Sequence, residues 1–158
     1  MNIRYSVKQS LSIVVVTAFL AGCSNIGGMM IHEKQSPYDF DKTVALVQEN
    51  AKARGWIVPK VYDFQASMKK FEQPDPGKVK VVKLCQPEYA GKMLSQDDSK
   101  FVAAMMPCSI GIYEKSDGKV YVSSMNMGLM SKMFDGVVGD TLALVAADDA
   151  KILSFLDE

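Results

Sequence analysis

The chain has 158 residues, 48% of them hydrophobic and 23% charged, with 18 lysines and arginines against 18 aspartates and glutamates. This is a folded composition of one-domain length, which excludes a disordered chain, a collagen-like repeat and a nucleic-acid-binding polycation. With one histidine, three cysteines and no glycine-rich phosphate loop, it offers few of the residues from which catalytic and cofactor sites are built, and no cofactor is expected.

Arg4 and Lys8 make a positive start, and Leu11 to Ala21 is an apolar run shorter than the roughly 20 residues a spanning helix needs. A small-residue site follows, which is the pattern of a secretory signal. Leu20-Ala21-Gly22-Cys23 resembles the lipobox of bacterial lipoproteins, and the resemblance implies cleavage before Cys23 and lipid on that cysteine. Residues 1–22 are then the signal, 23–28 a lipidated tether and 29–158 the domain. Ser24 stands where an aspartate would imply inner-membrane retention in sorting systems of the enteric type, so the periplasmic face of the outer membrane is the expected address. The membrane, reached through acyl chains, is the first expected partner. Loss of Arg4 and Lys8 leaves a weakly acidic chain. Lys69, Lys70, Lys78, Lys80 and Lys83 are spread over a loop and a strand as a solvated face, so no nucleic-acid partner is expected.

Along the domain, Met29 to Gln35 alternates as a first strand. The period then changes: Phe40, Val44, Val47 and Ala51 recur at helical spacing, with Ser36 or Asp39 to cap the start and Gly55 to end it. Trp56 to Tyr62 reads as a strand, and Pro59 within it argues for an edge or a bulge. Phe64 to Phe71 reads as a short helix broken by the turn Gln73-Pro74-Asp75-Pro76-Gly77, and Val79 to Cys85 as a strand. Pro87 opens a brief helix to Leu94, closed by the polar run Ser95 to Lys100. Phe101 to Glu114 is expected to carry one or two strands around Pro107. Lys115-Ser116-Asp117-Gly118 is a hairpin turn, with Val120 to Ser124 as the returning strand. Asp135 to Leu156 closes the chain as a helix, with a possible break at Asp148-Asp149. Mixed helices and strands without regular βαβ alternation define an α+β class.

Several blocks then carry a family resemblance. Tyr38-Asp39-Phe40-Asp41-Lys42-Thr43-Val44, the Gly55-Trp56 step, Leu84-Cys85-Gln86-Pro87-Glu88-Tyr89-Ala90, Met106-Pro107-Cys108-Ser109-Ile110 with Tyr113-Glu114, and Met125-Asn126-Met127-Gly128-Leu129-Met130 resemble the DUF302 family over about residues 29 to 156. The resemblance implies an antiparallel sheet with helices on one face, in a TATA-binding-protein-like β-α-β4-α arrangement. It also implies a domain that often associates as a dimer through its sheet, so that a homodimer is a possible partner state, and a family whose biochemical role is not established.

Three features could carry chemistry. Cys85 and Cys108 are the thiols left once Cys23 is lipidated, and in an oxidising periplasm a disulfide between them is the favoured expectation. Closing that loop would stabilise the domain by roughly 3 kcal/mol. Two buried reduced thiols, or a reactive or metal-binding pair, are the alternatives. The second feature is the 11 methionines, among them Met105, Met106, Met125, Met127, Met130 and Met133. Adaptable core packing is their ordinary use, and a Cu(I) site is the sharper one, because thioethers are soft ligands. The third is His32, which stands alone and permits neither an all-histidine metal site nor a Ser-His-Asp or Cys-His constellation beyond itself. The pairs Asp39/Asp41, Asp97/Asp98 and Asp148/Asp149 are expected at caps or polar turns, so no catalytic residue is assigned. The expected function is a lipid-anchored binding module for a small apolar or soft ligand, or for a protein partner, of unknown identity. The rival is a thiol- and methionine-based metal or redox protein.

Overall fold

The computed structural model describes residues 26–158, so the lipobox and Cys23 lie outside the described residues. A short helix α1 (Ile26–Met30) leads into strand β1 (Ile31–Gln35), helix α2 (Phe40–Ala53) and strand β2 (Ile57–Asp63). Helix α3 (Phe64–Lys70), strand β3 (Val79–Cys85), helix α4 (Pro87–Leu94) and a 3-10 segment (Asp97–Met105) follow. The hairpin β4 (Cys108–Glu114) and β5 (Val120–Met125), helix α5 (Met127–Met130) and the long helix α6 (Gly136–Ile152) complete the order, with 3-10 turns at Ser131–Met133 and Ser154–Asp157. The strands form one antiparallel sheet in the order β1-β5-β4-β3-β2. This is the α+β arrangement expected from the sequence.

Local chemistry explains the elements. Asp39 accepts from the Lys42 backbone N–H at 2.8 Å and so caps α2. Gly55 at φ 77° takes the left-handed step that turns the chain from α2 into β2, a conformation that costs a side chain but not glycine. Gln86 accepts from the N–H groups of Glu88 and Tyr89 to cap α4, with Pro87 in its first turn. Pro59 lies on the edge strand β2 beside a register shift between Ile57 and Lys60, because proline has no N–H to give an inner ladder.

Strand alternation sends Val82, Leu84, Ile110, Ile112, Val120 and Val122 to one face, each at most 6% exposed. They meet Phe40, Val44, Val47 and Ala51 of α2 and Val138, Leu142, Val145 and Ile152 of α6 in one continuous core. The opposite face carries Tyr121, Ser123, Ser109, Gly111, Tyr113 and Val81, none of them fully buried. Tyr113 and Tyr121 stack there, with ring centroids 6.3 Å apart.

Three expectations are corrected. The first strand begins at Ile31 rather than Met29. Ile31 pairs with Met125, the last residue of β5, so the ladder ends there, and Asn126 takes up the carbonyls of Met29 and Met30 instead. Phe101 to Met105 forms no strand. β4 starts at Cys108 opposite Leu84, leaving the preceding residues no strand to pair with, and a 3-10 segment buries Ser99 and Val102 at a three-residue spacing instead. The closing helix runs unbroken through Asp148 and Asp149.

Candidate functional site

Where α4, the 3-10 segment, α5 and α6 meet the ends of β3 and β4, they leave a narrow apolar cleft of about 40 Å³, or about 480 Å³ when the open mouth and the gaps between wall atoms are counted. Its walls include Trp56, Tyr89, Met93, Met106, Cys108 and Met127. Each arrives from a different piece of chain logic. Trp56 follows the glycine turn after α2. Tyr89 and Met93 are four residues apart on the inner side of α4, and Met106 precedes a cis Pro107 that leads into β4. Asn126 caps α5 by accepting from the Leu129 N–H at 2.9 Å and so directs Met127 inward.

The polar ends of the two aromatic rings are turned to one acceptor. Trp56 Nε1 donates to Asp148 Oδ2 at 3.0 Å and Tyr89 Oη donates to the same oxygen at 3.2 Å. The rings meet edge to face, 6.0 Å between centroids. Burial, then the Asp148 charge, raises the Tyr89 phenol above its ordinary value.

The next residue behaves differently. Asp149 continues the sheet-facing stripe of α6 set by Leu142, Val145 and Ile152, and its Oδ1 is shut from solvent with no hydrogen-bond partner among the described residues. Burial, reinforced by the neighbouring Asp148 charge, pushes the Asp149 carboxyl up to about 7. The expectation that this pair lies at a cap or polar turn is thereby overturned. Asp148 is a hydrogen-bond acceptor for the cleft aromatics, and Asp149 is a carboxyl inserted in an apolar stripe. The signal was legible as an acidic residue at a core position of a helical period, seven residues after Leu142 and four after Val145.

Cys108 lies between these features. Burial first, then the charges of Asp149 and Cys85, pushes its thiol up to about 12, so at neutral pH it is a protonated thiol rather than a nucleophilic thiolate. Cys85 and Cys108 are both unbonded thiols in the structure. Register accounts for this. Cys108 pairs with Leu84 and shares its face, while Cys85 is one residue further along β3, where alternation turns it to the other side.

The sequence-selected methionines divide. Met106 and Met127 line the cleft, with Met105 and with Met93, which sequence reasoning passed over although its four-residue spacing from Tyr89 marked it as inward-facing. Met125 lines a neighbouring groove of about 310 Å³ together with His32, Ser124, Met127 and Asp149. Met130 is buried in the core, and Met133 is 62% exposed. Among the described residues no three His, Cys, Asp or Glu side chains converge as a metal-binding group, and no helix is long and apolar enough to cross a membrane.

No curated protein matches the chain. Among solved structures, that of an uncharacterized conserved DUF302 protein from Bacillus stearothermophilus has the same fold, with a TM-score of 0.70 at 16% identity, over 80% of this chain and 98% of that one. The family pattern described as "Domain of unknown function DUF302" matches residues 32–156, a span that holds all of the sheet but its first residue, the cleft and the Asp148-Asp149 pair, and the chain belongs to the DUF302 family.

Proposed function

We propose that this chain is a binding domain of the bacterial cell envelope, held by lipid on Cys23 at the periplasmic face of the outer membrane, and that it takes a small apolar or soft ligand into the cleft beside Trp56. The observation that carries the reading is the wall chemistry. Aromatic and thioether side chains form the lining, and the two aromatic donors in it are already satisfied by Asp148. Such a cleft rewards contact area and polarisability rather than hydrogen bonding. A protonated Cys108 and a histidine in a separate groove support binding over nucleophilic catalysis. The half-buried sheet face around Gly111, Tyr113 and Tyr121 supports self-association as a homodimer.

Trp56 is the one tryptophan of the chain, which makes its emission a direct reporter. Titration with an apolar fluorescence-quenching probe should saturate at one site per chain, and Ala90→Phe, which fills the cleft from its own wall, should abolish the quenching while the far-ultraviolet spectrum stays unchanged. Quenching that persists in Ala90→Phe would refute the cleft as the binding site. For the anchor, Cys23→Ala should accumulate as unlipidated precursor and leave the outer-membrane fraction; fatty-acid label equal to that of the parent would count against it.

A further inference from the structure

The cleft carries an unusual density of one element. Its wall holds the thiol of Cys108 and the methionines Met93, Met105, Met106 and Met127, with Cys85 bordering it from the next position of β3. Packing alone does not require sulfur at these places, since leucine fills similar volume in a core. The methionines come from separate elements, Met93 from α4, Met105 and Met106 from the end of the 3-10 segment, and Met127 from α5, and they close on the first residue of β4, Cys108. With the aromatic donors drawn off to Asp148, cysteine and methionine supply the soft Lewis bases among the lining residues.

Donor type and charge then select a class of ligand. Hard divalent ions need several oxygens, and a zinc site needs more nitrogen and thiolate ligands than the described residues bring together. Thioethers and a thiolate suit Cu(I). One thiolate with one monovalent cation is neutral, and neutral thioethers complete the coordination without leaving net charge in an apolar cleft. A divalent ion on the same donors would leave an uncompensated buried charge.

We propose that the cleft binds a soft monovalent metal ion, Cu(I), through the sulfur of Cys108 and the thioethers of Met106 and Met127, with Met93 and Met105 closing the site. This rests on the reading of the cleft as the binding site and names its ligand. On binding, the S–H bond of Cys108 breaks, a metal–sulfur bond forms and the proton leaves to solvent. No electron is transferred.

Ag(I), a redox-inert ion of the same class, is the probe. The full-length protein in detergent, reduced and then freed of reductant, is titrated with Ag(I) against a competing chelator and followed by native mass spectrometry. The expected result is one tightly held Ag(I) per chain, weakened by at least about 100-fold in Cys108→Ser and by about 10-fold or more in the double variant Met106→Leu/Met127→Leu. The methionine variant nearly conserves volume, so its melting temperature should be unchanged and fold loss does not confuse the result. Cys85→Ser should keep the ion. Absence of binding in the parent, or Ag(I) affinity unchanged in both Cys108→Ser and the double methionine variant, overturns the proposal. If the apolar probe still quenches Trp56 while Ag(I) does not bind, the metal inference fails and the cleft reading stands; if neither binds, both fail.

Discussion

Trp56 and Asp148 are joined at 3.0 Å from indole N–H to carboxylate across 92 residues of sequence, and Tyr89 adds a second bond to the same oxygen. The β2 entrance, α4 and α6 are thereby fixed to one another at the cleft. Asp148→Ala should leave two half-buried donors without an acceptor and cost about 1–3 kcal/mol in denaturant unfolding. The Tyr89 phenol, raised by burial and by the Asp148 charge, should titrate at lower pH in that variant, read by ultraviolet difference absorbance. An unchanged Tyr89 titration would show that the contact does not persist in solution.

Asp149 gives the fold a pH dependence of its own. Its folded pKa, raised to about 7, lies above the ordinary aspartate value near 3.9, so the folded state holds a proton that the unfolded state has released. This group's contribution to stability therefore falls as pH rises from about 4 to about 7 and is level beyond, by a few kcal/mol at most. Asp149→Asn removes the ionisation. Its denaturation midpoint should therefore exceed the parent's at pH 8, with the gap closing toward pH 4. A parent midpoint that rises steadily from pH 4 to 8, with Asp149→Asn following in parallel, would contradict the assignment.

What the sequence made legible follows a physical division. Strong periodicity and turn chemistry placed α2, β3 and the β4–β5 hairpin closely, because the apolar pattern at Phe40, Val44, Val47 and Ala51 and the Asp117-Gly118 turn are local signals. The segment before Cys108 misled because Phe101, Val102 and Ala103 suit a strand in isolation, whereas strandedness needs a partner and the register supplies none beyond Leu84. The candidate site was legible only in fragments. Cys108, Met106 and Met127 stand out in the sequence by residue type, but their assembly with Met93 depends on α4 packing beside α6. Adjacent carboxylates such as Asp148 and Asp149 ordinarily mark polar turns, and only the tertiary position of α6 makes one an acceptor and the other a buried acid.

Two glycines in helices should respond with opposite signs to the same substitution. A Cβ on Gly139 would lie 2.1 Å from the Phe134 carbonyl oxygen and 2.9 Å from that of Ser131, both backbone atoms that cannot step aside, so Gly139→Ala should cost more than about 2 kcal/mol. A methyl group on Gly91 in α4 would meet nothing within 4 Å, and Gly91→Ala should stabilise by about 0.5–1 kcal/mol through helix propensity. Urea denaturation of both variants is the measurement, and a stabilised Gly139→Ala would contradict the close approach of the Ser131–Phe134 turn to α6.

The orientation of α2 yields the last test. Val47 is fully buried against the sheet, and Val44 and Ala51 lie on the same stripe. Val47→Asp would place a carboxylate among apolar neighbours, with neither a cation nor a donor built to receive it. The cost of an unpaired buried charge, roughly 3–5 kcal/mol, approaches the whole stability of many domains of this size, about 5–15 kcal/mol, so the variant should unfold at much lower denaturant or stay insoluble. Val47→Ala separates charge from packing: the smaller cavity penalty should leave a folded protein with a lowered midpoint. Lys52 is exposed on the same helix, and Lys52→Ala should change stability by no more than about 0.5 kcal/mol. If Val47→Asp and Lys52→Ala unfold at the same denaturant concentration, α2 does not present this face to the sheet, and the support for Trp56 at the end of that helix falls with it.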